Sequence, residues 1–286
     1  MNDQPMRSSS QFDYQLYRFG RSQQLFRGPA PDRAGGYVAC LGGAATFGRF
    51  TRRPFPTLLA EGLDVPVVNL GAEGAGPGFF LRDSEVLEVA ALARACVVQV
   101  MGAPEMSNRL YTVRPRRNQR LFAVSDLLCQ IYPEVRFDQF VRVDRMLDHL
   151  AMLDGKRFTM IATEIRNAWI GRMTTLLSSI ETDVVLFWFS QRRPEDAALT
   201  DRPSRSIAPS MVDRDMVDAV ADAAHGYVEC ISSAGLPQDL TEGGRPVYFR
   251  PKGDPIVENR TLPSPEMHVQ AAELLLPVVT ASATAR

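Results

Sequence analysis

The 286-residue chain has no stretch of about 18 consecutive apolar residues, so no membrane-spanning helix is expected. Residues 1–24 are polar and lack the apolar centre of a secretory signal, which leads us to expect a cytoplasmic protein. There are only four cysteines, Cys40, Cys96, Cys129 and Cys230, with no CxxC pair and no zinc-motif spacing. Three of them lie in or beside apolar runs, where a thiol behaves as a small buried hydrophobe, so all four are expected reduced and structural. Histidine is scarce too: His149, His225 and His268 are the full set, and no metal centre is expected. Basic excess is missing, the formal net charge being -1, which argues against a nucleic-acid partner. No GxxxxGK[ST] loop is present, and Gly71 to Gly76 lacks dinucleotide spacing, so no cofactor is expected. Internal repeats and low-complexity linkers are also absent.

A 45% hydrophobic content is enough to bury a core in one large or two small domains. Tyr37 to Leu41 is a short apolar run ending in two glycines. Val65 to Leu70 ends at Gly71, Cys96 to Met101 at Gly102 and Val184 to Phe189 at Ser190. Tyr227 to Ile231 is a weaker fifth run. Runs that are continuous, without alternation, predict strands covered on both faces, as in parallel sheets.

Helical patterns fill the intervals. Asp83 reads as an N-cap before Glu85 to Arg94, and Ser210 with Asp213 resembles a capping box ahead of Val217. Ser264-Pro265-Glu266 opens a last helix ending near Val279. The alternation predicts a three-layer α/β/α fold with a mostly parallel, flavodoxin-like doubly wound sheet. Residues 1–34 read as an N-terminal arm whose aromatics, Phe12, Tyr14, Tyr17, Phe19 and Phe26, cover apolar surface. Residues 35–286 read as the main domain, with a helical insertion over about 106–180. That insertion is expected to carry helices around Arg120 to Tyr132, Asp138 to Leu153, and through Trp169. A short hairpin is expected at Val247 to Arg250.

Ligands of open parallel sheets bind beyond the carboxyl ends of the strands. Five segments should therefore meet on one rim: Gly42 to Gly48, Gly71 to Gly78, Gly102 to Arg109, Ser190 to Arg193, and the loop before His268. Arginines cluster near it, with Arg49, Arg52 and Arg53 after the first turn and Arg109 to Arg120 uninterrupted by an acid. A guanidinium fork suits carboxylate, sulfate or phosphate, so two readings stand: an anion site, or a basic loop with scattered salt bridges.

Several blocks resemble those of SGNH (GDSL) hydrolases. Gly42 to Gly48 is similar to their GDSxTxG-type block, and Asn69 to Gly76 to their second, glycine-containing block. Gly102 to Glu105 falls where GxND would, and His268 where the DxxH histidine would. The resemblance implies acyl-ester chemistry, but its key residues are replaced. Ala44 stands at the nucleophilic serine, Gly43 at the preceding acid, Pro104 at the oxyanion asparagine and Pro265 at the acid that orients the histidine. Only the Gly71 amide and His268 remain, so serine hydrolysis loses its first step. Thr46 is an alternative hydroxyl on the same turn, and Ser107 and Asn108 are alternative polar groups. Glu73 and Glu105 are candidate acid–base carboxylates or plain loop residues.

Three readings follow. The first is a degenerate SGNH-like protein that binds a small polar or anionic, carbohydrate-related ligand through Gly43, Ala44, Arg49, Arg53, Gly71, Glu73, Gly74, Ser107, Asn108 and Arg109. The second is an O-acyl esterase or acyltransferase with His268 as base, Thr46 and Glu105 assisting. The third is an interaction protein whose arm and insertion dock a partner, a second copy of the chain included.

Overall fold

The apolar runs become the buried strands of one sheet in the computed structural model, which describes residues 13–196, 207–249 and 253–284. Phe12, expected in the arm, and Arg250, expected in the hairpin, lie outside the described residues. The first three strands are β1 Val38–Gly42, β2 Val67–Gly71 and β3 Ala95–Gln99. A separate antiparallel pair follows, β4 Tyr111–Arg114 with β5 Arg117–Val124. Strands β6 Asp183–Ser190 and β7 Gly226–Ile231 return to the main sheet.

The main sheet has the order β2-β1-β3-β6-β7, and every pairing in it is parallel. Alternate residues of β1 explain why its run is continuous: Ala39 and Leu41 enter one core, Val38 and Cys40 the other. Because β2 and β3 flank β1 on opposite sides, successive crossovers diverge at the carboxyl ends of β1 and β3. A crevice opens there.

Nine helices are described: α1 Ala44–Phe47, α2 Phe55–Gly62, α3 Pro77–Phe80, α4 Ser84–Ala91, α5 Asp126–Ile131, α6 Val143–Leu153, α7 Gly155–Ser178, α8 Arg214–Ala221 and α9 Pro265–Thr284. The expected caps form at two sites, where Asp83 accepts from the Val86 N–H and Ser264 Oγ from the Met267 N–H. At α8 the cap is Asp213, accepting from the Met216 N–H, and the expected box with Ser210 does not form. The last helix passes Val279 to reach Thr284, since Ala271, Leu275, Val279 and Ala283 continue one buried stripe every four residues.

The insertion departs most from expectation. Arg120 to Val124 is strand, not helix, and the expected helices shrink to α5 and α6. Tyr111 and Val113 are buried while Thr112 and Arg114 are exposed, an alternation of two that marks a half-covered strand. The short pairings at the other end include Tyr248–Phe249 with Pro255–Ile256, close to the expected hairpin.

The arm packs on its own chain. Phe19 and Phe26 share the core cluster of Leu41 and Leu70, and Tyr17 and Phe26 form an antiparallel bridge. Arg27, 8% exposed, donates to four carbonyls, those of Phe47, Gly48, Thr51 and Arg52, at 2.6–3.2 Å. Its guanidinium also lies 5.0 Å from the Tyr14 ring centroid. The loop after α1 is thereby fixed from below.

Candidate functional site

The five rim segments line one cavity of about 160 Å³ at the β1/β3 crevice. Gly43, Ala44 and Ala45 come from the first turn, Gly74 and Ala75 from the second, and Gly102 with Glu105 from the third. Gln191 follows β6, and Leu262 with Met267 closes the side toward α9. The insertion holds the rim in place: Trp169 of α7 donates Nε1–H to the Met101 carbonyl at 2.9 Å. Gln119 of β5 lies so close over Gly74 that a Cβ there would sit 1.9 Å from its Oε1, and Gly74 has φ +69°.

Beneath Ala44 the dominant feature is Gln99, the last residue of β3. Its Oε1 accepts three hydrogen bonds, from Gly43 N–H at 3.1 Å, Thr46 N–H at 3.2 Å and Thr46 Oγ1 at 2.7 Å. Gly42 must be glycine, because a Cβ would stand 2.2 Å from Thr46 Oγ1 and 2.5 Å from Gln99 Oε1. With its oxygen clamped, the amide has one orientation, and Nε2 forms no hydrogen bond among the described residues. Gln99 lines the cavity, so this leaves a fixed donor at its floor. Thr46 is fully buried with its hydroxyl committed, which removes it as a replacement nucleophile.

Glu105 is the one ionisable side chain lining the cavity among the described residues. Burial pushes its carboxyl up from 4.5 to about 7, opposed by the charge of Arg142 and reinforced by Asp144. Near neutral pH this acid therefore exchanges a proton, the condition for general acid–base work and for alternating between hydrogen-bond donor and acceptor.

The remaining hydrolase-like positions are committed elsewhere. The Gly71 N–H donates to Asn69 Oδ1 at 2.9 Å, so it is no free oxyanion donor. His268 is fully buried between Phe55 and Phe189. Its Nδ1 accepts the Phe55 N–H at 3.1 Å, so the neutral ring carries its proton on Nε2. A histidine base needs a free lone pair facing the hydroxyl it serves; here Nδ1 is occupied and Nε2 is protonated. Burial also lowers its pKa to about 3. The expectation of His268 as base is corrected on this geometry.

Of the residues predicted for a ligand site, the structure gathers Gly43, Ala44 and Gly74 around the cavity, together with Glu105 of the predicted catalytic set; the rest lie outside its lining. Ser107 Oγ accepts from the Val113 N–H, and Asn108 Oδ1 from the Leu110 and Tyr111 N–H groups, fixing the entry to β4. The arginines do not form a common anion site. Arg49 pairs with Glu73 at 3.3 Å, Arg53 with Glu61, and Arg109 with Glu164 of α7. A larger cavity of about 360 Å³, walled by Phe50, Leu58, Leu240 and Tyr248, lies beside the start of α9, with Arg52 and Arg53 on its edge. Among the described residues no cluster of three or more His, Cys, Asp or Glu side chains forms a metal site, and no helix is long and apolar enough to cross a membrane.

Sequence reasoning misses Gln99, although one polar residue near the end of an apolar run is a visible signal. It also misses Arg27, one of three arginines among the aromatics of residues 12–27.

A family model described as "Domain of unknown function (DUF6473)" matches residues 1–283. No curated protein matches the chain. Solved structures do. A protein assigned to the lipolytic G-D-S-L family from Desulfitobacterium hafniense DCB-2 is 12% identical with a TM-score of 0.41, the match covering 85% of this chain and 98% of that one. The acetylxylan esterase Axe2 from Geobacillus stearothermophilus is 10% identical with a TM-score of 0.41, covering 87% and 94%. A family two carbohydrate esterase from Clostridium thermocellum, solved with cellohexaose, is 10% identical with a TM-score of 0.43, covering 90% and 67%. Such distance leaves the chemistry of this chain to be read from its own residues.

Proposed function

The chain belongs to the DUF6473 family, and from that premise we propose that it binds a hydroxyl-bearing small molecule, such as a sugar or polyol, without serine-type hydrolysis. The observation that carries this reading is the Gln99 clamp. It occupies the donors of the first turn and leaves Nε2–H to the cavity that Glu105, its one titratable lining residue among the described residues, also lines. A hydroxyl is both donor and acceptor, so it satisfies the pair at once: its oxygen accepts from Gln99 Nε2 and its proton goes to the Glu105 carboxylate. The cavity is smaller than the roughly 300–1,000 Å³ of drug-sized pockets, so it suits one hydroxymethyl group or ring edge of a larger ligand. An anionic ligand in this cavity is disfavoured, because the one ionisable side chain lining it among the described residues is a carboxylate and Arg142, whose charge reaches that carboxylate, is paired with Asp144. Four free cysteines, three of them buried, fit a reducing, cytoplasmic setting.

A second reading is favoured by Glu105 alone. A carboxyl titrating near 7 is a competent general base, and it can deprotonate an acceptor hydroxyl for direct attack on an acyl donor.

Thermal stabilisation by glycerol, xylose and glucose tests the binding reading. At about 100 times its dissociation constant a bound sugar adds about 2.7 kcal/mol, and Gln99→Leu should remove the effect. Absence of stabilisation by all three, or equal stabilisation of the variant, overturns the reading. Turnover of p-nitrophenyl acetate that depends on an added alcohol and disappears in Glu105→Gln would favour the second.

A further inference from the structure

The larger cavity beside the start of α9 has no part in hydroxyl binding at Glu105, and no residue lines both cavities. Its volume of about 360 Å³ falls in the range of small-molecule pockets, roughly 300–1,000 Å³. Phe50, Leu58, Leu240, Val247 and Tyr248 give it apolar walls. Those walls are fixed in advance. Phe50 sits at φ +67°, a left-handed conformation that a bulky residue keeps only when its surroundings impose it. Gln238 Nε2 donates to the Phe50 carbonyl at 2.8 Å, and the Phe50 ring meets Tyr248 edge-on with centroids 4.7 Å apart. Arg27 holds the Thr51 and Arg52 carbonyls that follow. Opposite them, Leu240 donates to the Val257 carbonyl and accepts from the Val247 N–H.

Four charged side chains line the cavity: Arg52, Arg53, Asp239 and Glu242. Arg52 and Glu242 pair with each other at 2.6 Å and cancel. The other two have no counter-ion in the lining. Arg53 gives Nε and Nη2 to Glu61, which lies outside the lining, and its Nη1 is uncommitted among the described residues. Asp239 makes no ion pair among the described residues. Its oxygens accept from the backbone N–H and hydroxyl of Thr241 at 2.9 and 3.0 Å, and a carboxylate has further lone pairs to offer. Apolar walls thus meet one position for an anion and one for a cation.

We infer that this cavity binds a free α-amino acid with a large apolar side chain, phenylalanine being the type. The side chain fills the apolar interior, the carboxylate accepts from Arg53 Nη1, and the ammonium donates to Asp239. An apolar cavity of roughly 150 Å³ takes up a benzene ring, so about 360 Å³ leaves room for the amino-acid backbone as well. A ligand of one charge leaves either Arg53 or Asp239 without its counter-ion. Because the two cavities share no lining residue, this site stands or falls independently of the hydroxyl-binding reading.

The test is isothermal titration of the full chain at pH 7 with L-phenylalanine, with 3-phenylpropanoate, which lacks the ammonium, and with 2-phenylethylamine, which lacks the carboxylate. Saturable binding of L-phenylalanine is expected, about fivefold tighter than either analogue, the upper end for a partly exposed ion contact. Asp239→Asn, which keeps an acceptor for Thr241, should weaken L-phenylalanine about fivefold and leave 3-phenylpropanoate unchanged. Arg53→Gln should weaken L-phenylalanine equally and leave 2-phenylethylamine unchanged. Val269 lines the cavity yet is 44% exposed, so Val269→Trp should fill the opening and abolish binding of all three. All three positions are exposed, so the variants keep the fold, which circular dichroism verifies. Absence of saturable L-phenylalanine binding, equal affinity for either analogue, or wild-type affinity in Val269→Trp overturns the inference.

Discussion

Replacing Glu105 by Gln imposes permanently the neutral state that the cavity favours, and the consequence is a pH-dependent gain in stability. In the unfolded chain the carboxyl titrates at 4.5, in the folded chain at about 7. Between these values the native state holds a proton that the unfolded state has released, so wild-type stability falls as pH rises through that window. The difference of roughly 2.5 pKa units corresponds to at most about 3 kcal/mol above pH 7. For 286 residues the unfolding entropy is about 0.6 kcal/mol per kelvin, which converts 3 kcal/mol to a midpoint shift of about 5 °C. Glu105→Gln should therefore melt up to about 5 °C above the wild type at pH 8 and within about 1 °C of it at pH 4.5. Urea titrations at pH 4.5, 6 and 8 give the same comparison at constant temperature. If the variant is equally stable or less stable at pH 8, the carboxylate is charged in the native state at no cost, and the desolvation reasoning is wrong.

Gln99→Leu strips one acceptor from three donors; with Gly43 partly open to water, destabilisation of about 2–4 kcal/mol is expected by chemical denaturation. Arg27→Met removes four hydrogen bonds to the loop after α1 and should lower the melting midpoint by about 4–7 °C, with faster proteolysis near residues 48–53. His268 is neutral in the fold with its pKa depressed to about 3, so its contribution is complete above pH 6.5 and is lost as pH falls toward 3. His268→Asn retains an acceptor for the Phe55 N–H and should flatten that acid limb in stability-against-pH curves.

The sheet is legible in the sequence because its strands are covered on both faces and read as unbroken apolar runs, each stopped by glycine or serine. Convergence of five loops then follows from topology alone, and all five reach the cavity. The β4–β5 hairpin escapes such a reading because Arg117 to Val124 is mostly half-exposed and carries no clean period; the signal lies in Tyr111 and Val113 instead. Residues lining the cavity are legible only where backbone position decides, as at Gly43, Ala44 and Gly74, or where a side chain has no hydrogen-bond partner among the described residues, as at Glu105. Ser107, Asn108 and Arg109 follow β3 as expected, but Asn108 turns its Oδ1 to the local backbone and Arg109 reaches α7. Which neighbour claims a polar side chain depends on packing between segments more than fifty residues apart, as with Arg109 and Glu164, and spacing alone does not encode it.

Restoring the missing hydroxyl with Ala44→Ser tests the account most directly. A serine at this position would lack a histidine base, since His268 Nδ1 is occupied and Nε2 is protonated, and would lack the Gly71 amide, already bound to Asn69. Intact-protein mass spectrometry after incubation with p-nitrophenyl acetate should therefore find no acyl adduct on either wild type or Ala44→Ser. Stoichiometric acetylation of the introduced hydroxyl in that variant would show an intact hydrolytic apparatus lacking only its nucleophile, and would contradict the binding role assigned to Gln99 and Glu105.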